Sequence, residues 1–363
     1  MWRDGVVVAL AAAWAFIVFS GAKDDFSYDF GNYIGYFDRL ADFDIDDFIN
    51  NLEEFAPYPY IFVPPAGLFE VGFAFITWTL LSTGISSATV YAMIGSISIA
   101  IRLVILRSLG MGWPLITLIS IYSITLFEAN AIRLGVALTI CTAALLAMVR
   151  GRGIFALLLL AIAGLSHLQA IAFALPAVFL YALFKGISRS PARRLILLTA
   201  VLLASVAGAI TLQLLDFAKF SDYAERASGA TGINAVSVAA LVLMATGAYS
   251  FVAAQPNLGD RVQFRETRAW SGSFIAACPA LLVLIIATEM GAVGDRVWQF
   301  AFSMLVASYP LLSKNYPQTV FFRFSVWLCL LISVISITVR YPLSNFFAPL
   351  IPHIPITPLS LIT

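Results

Sequence analysis

The sequence predicts an all-α polytopic membrane protein with about eleven transmembrane helices. Hydrophobic residues make up 61% of the 363 residues and charged residues only 11%, whereas an ordinary soluble domain has about 25% charged residues. Apolar stretches of about 18 to 22 residues recur along the chain, and about 20 helical residues cross a bilayer core. The stretches lack the alternation of strands, so a helical bundle is predicted rather than a barrel. We expect a single membrane-embedded domain, residues 1–363.

Charged connectors orient the predicted bundle, because Lys and Arg concentrate in cytoplasmic loops. Basic connectors occur at residues 102–107, 150–152, 185–194 and 261–268, and at Lys314. In contrast, residues 23–60 hold ten of the twenty acidic residues. We therefore expect an acidic extracytoplasmic loop at 23–65, basic connectors inside, and a multi-pass protein of the cell inner (plasma) membrane whose active face is extracytoplasmic.

Two apolar segments do not fit simple counting of crossings. Only one crossing fits between the acidic loop and the basic residues 102–107, so we expect residues 66–83 to form a juxtamembrane or re-entrant helix on the outer face. Residues 154–184 have basic flanks on both sides, which predicts a broken helix pair that goes out and returns. Its elbow falls at residues 164–167. The predicted spans are 5–21, 88–106, 111–129, 132–149, the pair within 154–184, 193–212, 234–254, 270–289, 296–313 and 319–339.

Five ionisable residues lie within or at the edge of apolar segments, where each costs at least about 2.5 kcal/mol at mid-depth. All five fall on the outer side of the predicted topology: Asp29, Glu70, Arg133, His167 and Arg296. This convergence predicts an outward-facing polar site. Carboxylates there suit a base or a sugar ligand, and a guanidinium at the start of a helix suits phosphate.

Structural explanations remain open for each of these residues. Asp29 and Glu70 are also typical of acidic helices at a membrane surface. Arg133 could snorkel or pair with Glu128. A histidine such as His167 can bond backbone carbonyls, and Arg296 can form an end-of-helix ion pair with Asp295.

Composition excludes some partners and cofactors. The net charge of +1 and the lack of a basic, aromatic-rich soluble segment exclude nucleic acid as a partner. The three cysteines lie in apolar runs without CxxC spacing, and no group of ligands has metal-site spacing. We therefore predict neither metal nor cofactor.

Several short motifs occur in an order that resembles EpsG-type proteins, which are Wzy-like polysaccharide polymerases. They are D-x-x-x-Y in the first outer loop, E-x-G-F before an apolar stretch, N-x-I-R-x-x-x-A at the start of a span, and A-x-x-x-H at an elbow. The matching residues are Asp29, Tyr33, Glu70, Gly72, Phe73, Asn130, Ile132, Arg133, Ala137, Ala163 and His167, with Arg296 less closely. The resemblance covers most of residues 25–313.

The resemblance implies extracytoplasmic polymerisation of polyprenyl-diphosphate-linked oligosaccharide repeat units, in exopolysaccharide or O-antigen synthesis. The implied partners are the lipid-linked donor and acceptor, membrane lipid and a chain-length regulator. In such an enzyme Asp29, Glu70 and His167 would be catalytic. The substrate-binding residues would be Tyr33, Asn130, Arg133 and Arg296. A glycan ligase, a single-sugar lipid-dependent glycosyltransferase, and a polysaccharide transporter or flippase remain alternatives.

Overall fold

The structure is a computed structural model that describes residues 2–20, 30–54, 71–123 and 131–167, with isolated positions between 170 and 335. Its four continuous ranges contain eight helices and no strand. The helices are α1 (Trp2–Ser20), α2 (Phe30–Ala41), α3 (Ile45–Glu54), α4 (Val71–Leu81), α5 (Ser87–Ser108), α6 (Trp113–Ser123), α7 (Ile132–Val149) and α8 (Gly153–Ser166). The predicted all-α class is confirmed for this part of the chain.

Two of the described helices, α5 and α7, are long and apolar enough to cross a membrane. They have 22 and 18 residues, which corresponds to about 33 and 27 Å at 1.5 Å per residue. Both lie where the sequence predicted spans, at 88–106 and 132–149. The predicted spans from residue 193 onward lie wholly or largely outside the described residues, so the count of about eleven crossings stays a prediction.

Helices α1 and α5 run antiparallel, and their contacts define two ends of the bundle. At one end, Nε of Arg107 lies 3.3 Å from Oδ2 of Asp4, and the indole N–H of Trp113 donates to Oδ1 of Asp4 at 3.0 Å. At the other end, the ring of Phe19 packs edge-on against Tyr91, with centroids 6.1 Å apart. We call these the Arg107 end and the Tyr91 end.

Helices α5 and α7 are joined by a buried polar network. Nη2 of Arg102 donates to the Gly135 carbonyl at 2.7 Å and to the Thr139 hydroxyl at 2.8 Å, and that hydroxyl lies 2.8 Å from Ser98 Oγ. The prediction that Arg102 belongs to a basic connector is wrong, because it is a helix residue that is 4% exposed. Its polar partners offset part of the cost of burying the charge.

Helix α7 begins at the Tyr91 end, because Tyr33 contacts both Tyr91 and Arg133 in the first turn of α7. A tight turn after α7 reverses the chain into α8, with Gly151 at a φ of 74°, which glycine adopts without a Cβ penalty. Helix α8 returns toward the Tyr91 end and stops after 14 residues, about 21 Å. The short first half of the predicted broken pair is therefore observed, and of the predicted elbow at 164–167 only His167 lies outside the helix. The second half lies outside the described residues.

The described part of the acidic loop forms two helices that pack against the Tyr91 end. Helix α2 buries Tyr33, Tyr36, Phe37 and Leu40, a spacing that places them on one helical face. The Ser87 hydroxyl at the start of α5 donates to Oδ1 of Asp38 at 2.5 Å. Residues 30–54 of the acidic loop thus have a defined position over the ends of the spanning helices.

Helix α4 does not traverse the bundle. Its 11 residues correspond to about 16 Å, about half of a hydrocarbon core. It begins where Gly72 meets Leu165 in the last turn of α8, and it ends shortly before Ser87, the first residue of α5. Both places belong to the Tyr91 end. This geometry agrees with a juxtamembrane or re-entrant helix, although residues 66–70 of the predicted segment lie outside the described residues.

Candidate active site

Three of the seven predicted site residues lie in the described part of the chain: Tyr33, Arg133 and His167. The structure places all three at the Tyr91 end. The other four predicted residues, Asp29, Glu70, Asn130 and Arg296, lie outside the described residues. Within the described residues, the candidate site therefore consists of one tyrosine, one arginine and one histidine.

Tyr33 and Arg133 contact each other across 100 residues of sequence. Their closest polar atoms, the tyrosine hydroxyl and Nε of Arg133, are 3.4 Å apart, longer than the usual 2.7–3.2 Å of a strong hydrogen bond. The guanidinium carbon also lies 5.9 Å from the centre of the tyrosine ring, within the range of a cation–π interaction. These two weak contacts together hold the guanidinium against α2.

Tyr33 is held in place by packing. Its side chain is 4% exposed, and its ring contacts Phe37, Phe73 and Tyr91 with centroid distances of 6.3, 6.3 and 5.9 Å. Such aromatic pairs are worth about 0.5–1.5 kcal/mol each beyond burial. The sequence predicted a substrate-binding tyrosine. That role stays a prediction; the structure shows a buried tyrosine whose hydroxyl and ring contact Arg133.

Arg133 lies in the first turn of α7, partly buried. A cation is unfavourable at this position by itself, because the N-terminus of a helix carries partial positive charge. Ala131, which precedes the helix, offers no side-chain cap for the first N–H groups. An anion held by Arg133 would be stabilised by both the guanidinium and these N–H groups. The arrangement therefore favours a negatively charged ligand.

His167 forms the elbow that follows α8. Its backbone is extended, with φ −163° and ψ 122°, and its N–H donates to the Ala163 carbonyl at 2.9 Å. Its own carbonyl accepts from the N–H of Ala170 at 2.9 Å. The residue is 7% exposed. The end of α8 thus places a buried histidine inside the bundle.

Arg133 and His167 lie at similar depth. Counted along α7 from Val149, Arg133 is 16 residues away, about 24 Å; counted along α8 from Gly153, His167 is 14 residues away, about 21 Å. The two helices pack against each other along their length. The two residues therefore differ in level by less than about one helical turn.

The polar pairs that fix the helices around this site were not predicted from the sequence. Ser98 and Arg102 of α5 meet Thr139 of α7, and Asp38 meets Ser87. The i, i+4 spacing of Ser98 and Arg102 places both on one helical face. This spacing could have indicated that Arg102 faces a neighbouring helix.

A metal site is not formed by the described residues. Among them, no three His, Cys, Asp or Glu side chains come close enough to hold an ion. At the Tyr91 end, the guanidinium of Arg133 contacts the phenol of Tyr33, and His167 lies at the same end of the bundle. This set can bind an anion and can exchange a proton.

Comparison with known families identifies the chain. The sequence model of the EpsG family matches residues 7–351, nearly the whole chain. The chain belongs to the EpsG family. EpsG proteins are membrane proteins and form a Wzy-like polymerase family, so the resemblance predicted from the motifs is confirmed. No curated protein and no solved structure matches the chain. Membership in the EpsG family suggests a polysaccharide polymerase role.

Proposed function

We propose that this EpsG protein polymerises polyprenyl-diphosphate-linked oligosaccharide repeat units at the extracytoplasmic face of the inner membrane. The observation that carries the proposal is the Arg133–Tyr33 contact at the Tyr91 end. It holds a cation at a helix N-terminus that favours an anion. The diphosphate of a lipid-linked donor is such an anion, and its polyprenyl chain keeps it at the membrane surface.

The reaction needs a cation at the leaving group and a base at the nucleophile. A hydroxyl oxygen of the acceptor sugar attacks the anomeric carbon of the donor, forming the new glycosidic bond. The bond from that carbon to the diphosphate oxygen breaks, and polyprenyl diphosphate leaves with the electron pair. The hydroxyl proton passes to the base. Cationic groups stabilise the charge that develops on the leaving diphosphate.

We assign the cationic role to Arg133, with Arg296 as a second cation and Asn130 as a hydrogen-bond partner of the donor. The base is Asp29 or Glu70, with His167 as the proton or hydrogen-bond partner. Of these residues, Arg133 and His167 are described, and they lie at similar depth at the same end of the bundle. Tyr33 supports Arg133.

Charge distribution supports the outward orientation of the site. Arg107, Arg150 and Arg152 lie at the Arg107 end, while the acidic helix α3 lies at the Tyr91 end. Basic residues concentrate on the cytoplasmic side. The Tyr91 end is therefore assigned to the extracytoplasmic side, where finished repeat units are joined.

The test is the chain-length distribution of lipid-linked glycan in membranes that carry single variants at matched protein levels. Arg133→Lys keeps the charge but loses the two parallel donors that suit a phosphate. We expect single repeat units to accumulate. Arg150→Lys, an exposed arginine at the opposite end, is the matched control and should give normal long chains.

The alternatives give different products in the same experiment. If Arg133→Lys makes normal long chains, the diphosphate role of Arg133 is wrong. If Arg133 only pairs with Glu128, Lys should replace it with little effect on chain length. If Arg133 binds the diphosphate, Glu128→Gln should retain most long chains while Arg133→Lys does not. A ligase would leave chain length unchanged and lose transfer to the final acceptor. A flippase would leave repeat units on the inner face.

A further inference from the structure

One backbone contact joins two motifs that lie far apart in the sequence. Gly72 belongs to the E-x-G-F motif, and Leu165 lies within the A-x-x-x-H segment that ends at His167. A Cβ atom on Gly72 would lie 2.8 Å from the carbonyl oxygen of Leu165 and 2.9 Å from its carbonyl carbon. Any side chain at position 72 would therefore force α4 and α8 apart.

The contact occurs where α8 stops. The Leu165 carbonyl is among the last four carbonyls of α8, which have no N–H partner within a helix. The chain leaves the helix after Ser166, and His167 takes an extended backbone. Helix α4 thus covers the end of α8 two residues before the histidine. A shift of α4 at this contact would therefore also shift His167.

Helix α4 also contacts the residues that support Arg133. The ring of Phe73 is fully buried and lies 6.3 Å from the ring of Tyr33 and 6.2 Å from that of Phe37. Tyr33 in turn contacts Arg133. Two consecutive residues of α4 therefore touch the two halves of the site: Gly72 meets the end of α8, and Phe73 meets the tyrosine beside Arg133.

We propose that Gly72 is a positioning residue of the active site, whose missing side chain sets where His167 lies relative to Arg133. The inference rests on the proposed function, which assigns His167 to the acceptor hydroxyl and Arg133 to the diphosphate. Gly72 acts only through the end of α8.

The kinetic test compares two glycine substitutions in purified, reconstituted protein. Gly72→Ala should lower kcat by about tenfold to 100-fold, because a shift of about 1 Å in catalytic geometry has that effect. The KM for the lipid-linked donor should change much less than kcat, because α4 reaches Arg133 only indirectly, through Phe73 and Tyr33. Gly35→Ala is the matched control, since a Cβ there meets nothing within 4 Å, and it should keep wild-type kcat. Wild-type kcat in Gly72→Ala would overturn the inference.

A cross-linking test measures the contact without substrate. Val71 precedes Gly72 in the chain, so the Cα atoms of the two residues are about 3.8 Å apart. A thiol cross-linker that spans about 8 Å should therefore join Val71→Cys to Leu165→Cys. The control pair, Val71→Cys with Ile154→Cys at the opposite end of α8, should not be joined. Each single-cysteine variant is measured in parallel to subtract reaction with the native cysteines. Adding Gly72→Ala to the first pair should lower the cross-linked fraction, and an unchanged fraction would contradict the inference.

The two tests separate failure of the inference from failure of the proposed function. If the cross-link forms and responds to Gly72→Ala, but neither Gly72→Ala nor Arg133→Lys changes the polymer, the contact is correct and the proposed function is wrong. If the cross-link does not form while Arg133→Lys stops polymerisation, the function stands and the positioning role is wrong. Both variants are measured at equal amounts of folded, detergent-soluble protein.

Discussion

The hydroxyl of Tyr33 lies 3.4 Å from Nε of Arg133, and the guanidinium lies over the same tyrosine ring, 5.9 Å from its centre. Tyr33 belongs to α2 in the acidic loop, whereas Arg133 belongs to the spanning helix α7. Helix α2 of the loop therefore supports Arg133, the proposed diphosphate-binding cation, through Tyr33. A disturbance of the loop should weaken donor binding even where no loop residue touches the donor.

A double-mutant cycle tests this support. Tyr33→Phe removes the hydroxyl and keeps the ring, so we expect a loss of about 1 kcal/mol, typical of one hydrogen bond. That loss corresponds to about a fivefold higher KM for the donor. In Arg133→Lys the geometry that Tyr33 supports is already lost, so Tyr33→Phe should cause no further increase in KM. The measurement is the donor KM of all four proteins in proteoliposomes.

The outcome distinguishes the two roles of Tyr33. If the effects of the two mutations on the donor KM are coupled, Tyr33 acts through Arg133, because mutations of residues in contact do not have additive effects. Effects that add within about 0.3–0.5 kcal/mol would show instead that Tyr33 binds the substrate directly, as the sequence alone predicted.

Helix positions were predictable from the sequence, whereas side-chain partners were not. The apolar runs at 88–106 and 132–149 and the short segment before His167 became α5, α7 and α8, because length and hydropathy decide which segments can cross a bilayer. The contact of Tyr33 with Arg133 depends on how α2 packs over the bundle, which hydropathy does not specify. Arg102 was misplaced because a charge near the end of a span resembles a loop residue.

The buried Arg102 network should contribute strongly to stability. Arg102→Met removes the charge-assisted hydrogen bonds to the Gly135 carbonyl and the Thr139 hydroxyl, and bonds to a charged group are worth about 1.5–3 kcal/mol. Both acceptors keep a contact with the Ser98 hydroxyl. We expect the Tm in detergent to fall by a few degrees, because each kcal/mol shifts the Tm by about 2–4 °C in chains of about 150–250 residues and by less in a longer chain. Arg107→Met, which breaks a partly exposed pair with Asp4, is the control and should change the Tm little. Equal changes in the two variants would contradict this role.

The hydrogen bond between Ser87 and Asp38 should hold α2 on the bundle. Asp38 accepts from the Ser87 hydroxyl at 2.5 Å and lies at the N-terminus of α5, where a carboxylate is favoured. We expect Asp38→Asn to increase hydrogen exchange of the α2 amides about fivefold, equivalent to about 1 kcal/mol. The measurement is exchange followed by mass spectrometry. Asp46→Asn, an exposed acid of α3, should leave α2 unchanged, and the same exchange in both variants would refute the proposed anchor.

The orientation of the bundle can be tested by labelling exposed positions at its two ends. Asp46→Cys in α3 and Arg152→Cys in the turn before α8 are both exposed. An impermeant maleimide should label position 46 in intact cells and position 152 only after the inner face is opened, because basic residues remain inside. The reverse pattern would place the Tyr91 end in the cytoplasm and would withdraw the extracytoplasmic assignment of Arg133 and His167.

The position of α4 has a consequence for how the protein enters the membrane. In the proposed orientation, with α1 as a crossing helix, α1 and α5 make the first two crossings, because α4 begins and ends at the Tyr91 end. During synthesis α1 then enters the bilayer before α5 has been made, and the contacts of Asp4 with Arg107 and Trp113 form only afterwards. Helices α2, α3 and α4 lie between them in the sequence and would reach the outer side before they pack. They pack onto α1 and α5 after this first hairpin has inserted, so the ribosome completes the membrane scaffold of the site before the loop that covers it can fold.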